Sequence, residues 1–395
     1  MRINDTDSMV FHKVEYMIVH MNGRSFDAIV VGAGIVGAAC ANELSKAGLH
    51  VALCERNDYS GGGATAAGMG HLAVMDDSEA QFALTAYSQE LWRELSGELP
   101  ADAEYLPCGS LWVAADAEEF EEVKGKYRFY SERNIPVEIL DGRQVAEAEP
   151  HLRPGLVGAL LMSADSVCYP PCAARYLTER VVADGGKIFF NTPIIAVSNT
   201  GVRTRDGSFL SAGFTILATG TEITKLNPEI KVRPRKGHLV ITDRYPGFLR
   251  HQLIELGYLK SAHASHGNSV AFNPQPRVTG QILIGSSRQF GAEDPAAEQH
   301  MLRKVLARAI EYMPGLENLS AIRTWTGFRA ATPDKLPLIG RCPGFDKVYL
   351  ATGHEGLGIS SSLATARLLA DEILCRPSPI SRTPYDPSRS FVSHA

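Results

Sequence analysis

The sequence predicts an α/β fold, in which a parallel sheet is built from separate segments of the 395-residue chain and a second, mainly antiparallel β lobe is inserted between them. Three observations lead to this prediction. A strand, a glycine-rich turn, a helix and a second strand follow one another in residues 26–56. Two later apolar strands end in Ala-Thr-Gly, at residues 218–220 and 351–353, which returns the chain to the same parallel sheet. The intervening residues 231–323 are rich in β-strand patterns.

Residues 26–56 have the pattern of a Rossmann-like dinucleotide site. Gly32 permits the tight turn, Gly34 lets the backbone approach a pyrophosphate, and Gly37 lets helix and strand pack closely. The helix N-terminus offers unpaired N–H groups and partial positive charge to the phosphates. Glu55 ends the second strand, where its carboxylate can accept both hydroxyl hydrogens of a ribose. The alternative is an ordinary strand–helix–strand unit.

Composition excludes several other classes of protein. Hydrophobic residues make up 45% and charged residues 21% of the chain, which is usual for a globular protein. The formal charge of −5 argues against a nucleic-acid partner. No apolar run approaches the roughly 20 residues that span a bilayer, so membrane contact is at most peripheral.

The cysteines and the N-terminal residues bear on the cellular location of the protein. Seven cysteines without a Cys-x-x-Cys pair suit a reducing compartment, and Cys168 and Cys172 lack nearby histidines, so no metal site is predicted. Residues 1–25 are an N-terminal extension that does not resemble a secretion signal; the natural chain could begin at Met21. We expect a cytoplasmic protein, or one held peripherally on the inner face of the membrane.

Further elements follow residue 56. A run of small residues at 59–71 suits close backbone approach to a flat ligand, with a flexible surface loop as the alternative. The next helix has Asp77 or Ser78 as its cap, and Trp92 is assigned to the core. In order, we predict a helix at 80–95, a strand at 111–114, and a charged helix at 117–130 with a solvated face at 116–126. A strand-like stretch at 156–171 and a helix at 173–183 follow. Strands at 187–190 and 194–197 come next, then a hairpin turn at 206–207, and then a strand at 214–217.

The insert combines strands with one helix. The helix has Asp294 and Pro295 as its cap and first turn and ends at Pro314. The tail from residue 376 holds four prolines and is predicted to be an irregular surface strap. The predicted strands of the insert are 239–242, 269–272 and 281–284.

These motifs resemble those of the flavin-dependent amino-acid oxidoreductases typified by glycine oxidase, D-amino-acid dehydrogenase and sarcosine oxidase. The similarity extends over residues 27–374. Its most specific parts are the glycine turn with Glu55, the small-residue run 66–69, the Ala-Thr-Gly closure at 218–220, the Gly-Phe-Arg segment 327–329 with Thr-Pro-Asp at 332–334, and the Gly-His-Glu-Gly-Leu-Gly loop 353–358.

The resemblance implies FAD rather than NAD. The flavin is expected to be non-covalent, because Gly327 stands where sarcosine oxidase carries a flavin-linked cysteine and residues 64–68 hold no histidine. The implied FAD-binding domain comprises residues 26–100, 165–230 and 324–375, the substrate domain residues 101–164 and 231–323, and the C-terminal tail residues 376–395. The glycine motif and the resemblance together assign as cofactor-binding residues Gly32, Gly34, Ile35, Val36, Gly37, Glu55, Arg56, Ala66, Ala67, Gly68, Met69, Val197, Thr219, Gly220, Gly353, His354, Gly356, Leu357, Gly358 and Ile359.

Arg329 is expected to bind the substrate carboxylate, as the family's arginine at the corresponding place does. Its planar guanidinium can donate two parallel hydrogen bonds to a carboxylate. The alternative is a structural ion pair with Asp334. Met69 and His71 are expected to face the substrate cavity, although a structural role is equally compatible with His71. Tyr258 falls where related enzymes place a tyrosine that assists the carboxylate, with simple packing as the alternative.

Arg277 and Arg288 are weaker competitors for the carboxylate, and we interpret them as surface or strand-end charges.

The resemblance implies oxidation of the Cα–N bond of a D-amino or secondary amino acid to an imine, with hydride transfer to flavin N5. Residues 274–288 and 353–358 look most like the flavoprotein subunits of opine oxidases, hydrogen cyanide synthase and hydroxyproline dehydrogenases. A D-hydroxyproline-like, D-proline-like or opine substrate is therefore the leading interpretation. The implied partners are a small amino acid, an acceptor protein, quinone or oxygen as electron acceptor, and further subunits in a hetero- or homo-oligomer.

Three alternatives stay open. A glycine or sarcosine oxidase would use oxygen and make hydrogen peroxide. An electron-relay flavoprotein subunit would bind its substrate elsewhere. A plain NAD-dependent dehydrogenase would contain no flavin at all.

Overall fold

The computed structural model describes residues 25–257 and 268–390. In these ranges the strands are β1 (Ser25–Val31), β2 (Val51–Cys54), β3 (His71–Leu72), β4 (Ser110–Ala114), β5 (Val137–Asp141), β6 (Gly158–Met162), β7 (Ser166–Val167), β8 (Lys187–Phe189), β9 (Ile194–Ser198), β10 (Gly201–Thr204), β11 (Phe209–Leu217), β12 (Arg233–Arg244), β13 (Gln252–Glu255), β14 (Ser269–Pro276), β15 (Gln281–Phe290), β16 (Ala321–Ala331), β17 (Leu338–Arg341) and β18 (Val348–Thr352). The helices are α1 (Ile35–Lys46), α2 (Glu79–Leu95), α3 (Ala117–Ser131), α4 (Gly142–Ala148), α5 (Pro170–Ala183), α6 (Ile223–Leu226), α7 (Gln299–Tyr312) and α8 (Ser362–Ile373).

An eight-stranded sheet with the order β17-β18-β11-β1-β2-β8 forms the centre of the first domain, with β10 and β9 attached beside β11. Strand β1 runs parallel to β2 and β11, and β11 runs parallel to β18. The carboxyl ends of parallel strands meet at one sheet edge, so Gly32, Glu55, Ala218 and Gly353 come together there. The predicted α/β fold, with its parallel sheet assembled from distant segments, is confirmed.

Small side chains let α1 pack tightly between the sheet, α5 and α8. Ala38, Ala39 and Ala41 are at most 1% exposed and belong to the same core as Trp92. The indole Nε1 of Trp92 donates to the Ile359 carbonyl at 3.2 Å, which joins α2 to the loop before α8. Trp92 is therefore a core residue, as predicted.

The second domain contains two four-stranded sheets. One has the antiparallel order β14-β15-β12-β16, and the other has the order β13-β4-β6-β5 with β13 parallel to β4. One face of each sheet packs with α7 into a shared core that includes Leu111, Phe272 and Val305. The long β12–β16 ladder places Arg235 opposite Arg329.

Two predicted boundaries differ from the structure. The predicted domain boundary after residue 323 falls inside β16, which pairs along its length with β12 before the chain returns to the large sheet at β17. The predicted helix start at Asp294 and Pro295 is wrong, because α7 begins at Gln299. The Asp294 side chain instead accepts the Ala296 N–H at 2.8 Å, a local turn that competes with helix initiation.

The predicted solvated face at 116–126 is wrong for two charged residues of α3. Lys126 is 7% exposed; its Nζ lies 2.6 Å from Asp76 and 4.7 Å from the Trp112 ring centre. Glu119 is also buried and accepts the Ala115 N–H at 2.7 Å. Charge alone predicted exposure, whereas ion pairing and hydrogen bonding make burial tolerable.

The predicted cap of α2 and the predicted irregular C-terminal tail agree with the structure in the part of the chain that it describes. Ser78 caps α2 by accepting the Gln81 N–H at 3.1 Å, as predicted. The tail up to residue 390 has no strand or α-helix, and Arg389 binds Asp334 through Nε at 2.7 Å and Nη2 at 3.0 Å. Residues 1–24 lie outside the described part. Among the described helices, none has the length and apolarity required to cross a bilayer.

Candidate active site

A cavity of about 680 Å³ runs from the carboxyl edge of the large sheet to strands β12, β13, β15 and β16 of the second domain. Most residues that the sequence assigned to a cofactor line it: Gly32, Gly34, Ile35, Val36, Glu55, Arg56, Ala67, Gly68, Met69, Thr219, Gly220, Gly353, His354, Gly356, Leu357, Gly358 and Ile359. The two domains therefore share one continuous cavity.

Three assigned residues do not line this cavity. Gly37 packs against Gly32, where an added Cβ would overlap the Gly32 carbonyl oxygen, so its glycine serves helix–strand contact. Ala66 lines a second cavity of about 100 Å³ that shares Gly68 and Met69 with the first. Val197 pairs with Val202 in the sheet and packs against a hydrophobic core, so it does not line this cavity and its assignment to the cofactor stays a prediction.

At the sheet edge, the first turn of α1 and Glu55 form a polar end of the cavity. Gly34 is the N-cap residue of α1 and has no side chain to cap the helix. The Thr65 hydroxyl accepts the Ile35 N–H at 3.0 Å and keeps its own hydrogen for a further acceptor. Glu55 is 7% exposed and accepts Ala33 N–H at 2.8 Å through Oε2.

This end fits the ADP half of FAD. The α1 N-terminus and Thr65 offer donors to a pyrophosphate. Glu55 already accepts the Ala33 N–H and two N–H groups of Asn57, so of the about four acceptor sites of its carboxylate one remains for a ribose hydroxyl. Thr65 was missed in the sequence, since nothing local indicated that it would fold back onto α1. Arg56 lies at the rim, half exposed, with Nη1 3.1 Å from Glu222 Oε2.

The loop before α8 crosses the middle of the cavity. His354 is buried, its Nε2 lies 3.0 Å from Thr365 Oγ1, and burial lowers the pKa of its imidazole to about 4, so the ring is neutral. Gly356 has φ of +94°, a conformation suited to glycine. Glu355 is buried and forms an ion pair with Arg235. Burial raises the pKa of the Glu355 carboxyl, against the opposing effect of four nearby cations.

Arg329 lies against two glycines at the other end of the cavity. A Cβ on Gly237 would stand 2.6 Å from its Nη1, and a Cβ on Gly356 would stand 2.9 Å from its Cδ. Its Nη1 donates to the Ser287 carbonyl at 3.0 Å. Asp334, the alternative partner considered from the sequence, forms its ion pair with Arg389.

The two competing arginines have different surroundings. Arg277 donates to Glu104 through Nε at 2.9 Å and lies over the Tyr169 ring, so it is structural. Arg288 lines the cavity, which corrects its interpretation as a surface charge. Arg288 and Arg329, with Lys335, make this end of the cavity cationic and therefore suited to an anionic ligand.

His71 and Met69 lie at the junction of the two domains. His71 lines the cavity, and its Nε2 is buried without a hydrogen-bond partner among the described residues. Burial lowers the pKa of His71 to about 3, so the imidazole is neutral. Met69 contacts Gly285, where a Cβ would stand 2.7 Å from its Sδ. Tyr258, the remaining predicted residue, lies outside the described part of the chain.

Several lining residues were not predicted from the sequence. They are Trp112, Gly237, Leu239, Gln252, Ile254, Asn273 and Ser286, all in the second domain. They come from five separate strands, so no local spacing connects them. Among the described residues, no group of His, Cys, Asp and Glu could hold a metal ion.

Comparison with known proteins agrees with this geometry. A family model described as FAD dependent oxidoreductase matches residues 27–372. A glycine oxidase of Pseudomonas aeruginosa is 28% identical over 384 residues, covering 91% of this chain and 98% of that protein. The hydrogen cyanide synthase subunit HcnC of Pseudomonas protegens is 26% identical, covering 92% and 95%.

Solved structures show the same architecture. The glycine oxidase from Geobacillus kaustophilus has a TM-score of 0.83 and 25% identity, covering 93% of this chain and 100% of that one. An L-proline dehydrogenase from P.horikoshii has a TM-score of 0.81 and 24% identity, covering 93% and 98%, and supports the fold alone.

Proposed function

The chain belongs to the FAD dependent oxidoreductase family, and from that premise we propose that it oxidises the Cα–N bond of an amino acid whose carboxylate binds Arg329. It is an FAD-dependent amino-acid oxidoreductase similar to glycine oxidase. The observation that carries the finer proposal is the position of Arg329 in the cavity wall, against Gly237 and Gly356.

A substrate carboxylate suits this position for electrostatic and geometric reasons. A guanidinium has five N–H donors in a plane, so it can bind a carboxylate in addition to the Ser287 carbonyl. Ser287 is itself held in place, because its Oγ accepts the His238 N–H at 2.9 Å. Arg288 and Lys335 add positive charge around the same end of the cavity.

The residues around the cavity would hold FAD at two places. The α1 N-terminus, Thr65 and Glu55 would hold its ADP half, and the 353–359 loop would lie beside its flavin half. When bound, FAD supplies the acceptor for the hydride that leaves the substrate. Gly327 packs against Ala67, where a Cβ would overlap the Ala67 side chain, so a flavin-linked cysteine does not fit at residue 327. Non-covalent attachment is part of the proposal.

Acid–base chemistry by the protein is not required. His71 has a pKa of about 3 and is too weak a base to take the proton of an amino acid's ammonium group near neutral pH. The substrate amine therefore loses its proton to solvent. The protein contributes in two ways: Arg329 positions the substrate Cα, and the apolar side chains of Met69, Leu239 and Ile254 exclude water.

The proposed substrates are D-amino or secondary amino acids, including hydroxyproline-like compounds and opines. The cavity supports this class because Gln252 and Asn273 also line it, so it offers polar groups in addition to Arg329. The hydrogen cyanide synthase subunit HcnC among the relatives supports transfer of electrons to a protein partner. A cytoplasmic location is also part of the proposal.

A second candidate is glycine or sarcosine oxidation with oxygen as the acceptor. The 28% identity to a glycine oxidase over nearly the whole of both chains favours it. Peroxide formation in air, at a rate equal to anaerobic flavin reduction and without an added dye, would establish the oxidase activity.

Arg329 provides the test of the proposed function. We expect Arg329→Ala to reduce kcat/KM for every amino-acid substrate by about 30- to 5,000-fold, because truncating one partner of a buried charge pair costs roughly 2–5 kcal/mol. Bleaching of the flavin absorbance under anaerobic conditions measures it across D-, L- and N-alkyl amino acids, proline derivatives and opines. Arg323→Ala, an exposed position on the same strand, is the control. Unchanged flavin reduction by Arg329→Ala would favour the electron-relay alternative.

A further inference from the structure

Three residues in the wall of the main cavity, here together called the polar branch, have buried side-chain atoms without a hydrogen-bond partner among the described residues. Gln252 is 1% exposed, and neither its Oε1 nor its Nε2 has a hydrogen-bond partner among the described residues. The same holds for the indole Nε1 of Trp112, also 1% exposed, and for Oδ1 of Asn273. All three residues line the cavity that contains Arg329.

These groups are brought together by strand pairing. In the parallel β4–β13 pair, Ser110 lies beside Gln252 and Trp112 lies beside Ile254, so Trp112 and Gln252 are on the same face of the sheet. Asn273 lies opposite Gly285 in the β14–β15 pair, and Gly285 contacts Met69. The polar branch therefore adjoins the Met69 side of the cavity.

Unpartnered groups of this kind indicate a ligand. Buried polar atoms in folded proteins nearly always have a hydrogen-bond partner, because leaving one unsatisfied costs free energy. Here three residues from three strands leave such atoms in one cavity. A ligand or ordered water in this branch would satisfy them.

The chemistry of the branch identifies the class of ligand group. The indole N–H and the Gln252 amide N–H are donors, whereas the Gln252 and Asn273 carbonyl oxygens are acceptors. A carboxylate can only accept hydrogen bonds and would leave these acceptors unsatisfied. A hydroxyl group donates one hydrogen bond and accepts up to two, so it can bind donors and an acceptor of this set at once.

We propose that Gln252, Asn273 and Trp112 form a specificity pocket for a hydroxyl group on the substrate, beyond the Cα that Arg329 positions. The proposal rests on the proposed function, because it takes the substrate to be an amino acid bound at Arg329. It assigns the substrate class as hydroxylated amino acids, of which ring-hydroxylated secondary amino acids fit the proposed chemistry.

Matched substrate pairs test the pocket in the FAD-loaded enzyme. The probes are the stereoisomers of proline with those of 4-hydroxyproline and 3-hydroxyproline, and alanine with serine, each measured by anaerobic flavin reduction. We expect the wild-type enzyme to prefer at least one hydroxylated compound over its parent by more than tenfold in kcat/KM. Gln252→Leu should remove about tenfold or more of that preference, chiefly by raising KM for the hydroxylated compound more than KM for its parent.

Two further variants make the result specific. Asn273→Ala should weaken the same preference, which keeps the proposal testable if Gln252→Leu folds poorly. Gln275→Leu is the matched control, because Gln275 lies on β14 with a buried, unpartnered Oε1 but lines the second cavity instead. Its preference for hydroxylated substrates should equal that of the wild-type enzyme.

The outcomes separate the two proposals. Equal activity of the wild-type enzyme with all hydroxylated and parent compounds, or an equal loss for both in Gln252→Leu, would overturn the hydroxyl pocket and leave the role of Arg329 standing. If Arg329→Ala left kcat/KM unchanged for every amino-acid substrate, the proposed function itself would be overturned. Spectral titration with a non-reducing competitive ligand gives binding constants for the same variants and checks the pocket without turnover.

Discussion

The two ends of the cavity are built in different ways. At the sheet edge, Gly32, Gly34 and Glu55 lie within one short stretch of chain and are positioned by β1, α1 and β2. At the substrate end, Trp112, Gln252 and Arg329 come from three strands that are far apart in sequence. Local geometry therefore fixes the glycine turn and Glu55 at the cofactor end, and long-range strand pairing fixes the substrate end. We therefore expect substitutions in the second domain to change substrate preference while the cofactor end stays intact.

The largest expected effect of a substitution at the cofactor end is that of Gly37→Ala. A Cβ there would overlap the Gly32 carbonyl oxygen, which is backbone and can move only if β1 and α1 separate. We expect the free energy of unfolding to fall by about 5 kcal/mol or more, with loss of FAD, since overlaps of this kind belong to the most destabilising class of substitution.

Urea denaturation and the ratio of flavin to protein absorbance measure that effect. Gly97→Ala is the control, because no heavy atom lies within 4 Å of its added Cβ. A Gly37→Ala protein with normal stability and full FAD content would show that the cofactor end tolerates backbone displacement.

Asp165, between β6 and β7, predicts a pH dependence of the free energy of unfolding. It is 1% exposed, accepts hydrogen bonds from Gln89 at 2.8 Å and from Ser110, and burial raises its pKa from 3.8 to about 7. The folded state therefore binds this proton more tightly than the unfolded state. The associated stability is present below pH 3.8 and is lost as pH rises to about 7, a difference of about 4 kcal/mol.

Asp165→Asn keeps the shape of the side chain and removes its titration. Unfolding in urea with saturating FAD is measured for both proteins from pH 4 to 8. As pH rises over this range, the free energy of unfolding of the wild type should fall relative to that of the variant by up to about 4 kcal/mol. A constant difference across that range would mean that Asp165 titrates normally in the folded protein.

Gly237→Ala should affect the substrate end alone. Its Cβ would stand 2.6 Å from Nη1 of Arg329, the far end of a flexible side chain, so the guanidinium would shift and the backbone would remain in place. We expect KM for amino acids to rise about 30-fold, equivalent to about 2 kcal/mol, with FAD content and unfolding midpoint unchanged.

Gly125→Ala on α3 is the control, because its added Cβ meets no heavy atom within 4 Å. If Gly237→Ala lost FAD together with substrate affinity, the two ends of the cavity would be coupled more tightly than their separate construction indicates.

The same contrast explains how far the sequence led. The glycine turn, Glu55 and the Ala-Thr-Gly closures predicted the parallel sheet because strand, turn and helix signals have fixed local spacing. Arg329 was predicted only through resemblance to a family. Gly237, Gln252 and Asn273 were missed, since their meeting depends on the register of β12, β13 and β14 and no local pattern encodes it. The start of α7 was misplaced because a turn at Asp294 imitates a helix cap.

The smallest expected effect, at Glu55, tests whether the cofactor end acts on FAD alone. Glu55 accepts the Ala33 N–H at 2.8 Å through Oε2 and a side-chain N–H of Asn57 at 2.8 Å through Oε1. Glutamine at this position would replace one of these acceptor oxygens with an NH₂ group, which would then face an N–H donor. We expect Glu55→Gln to weaken FAD binding about tenfold, or about 1.4 kcal/mol, through the lost ribose and backbone hydrogen bonds. Fluorescence titration of the apoprotein with FAD measures it, and Glu222→Gln at the rim, paired with Arg56, should change the dissociation constant less. At saturating FAD, KM for the amino acid should stay at its wild-type value, because Arg329 and its glycines are untouched; a raised KM there would refute the independence of the two ends.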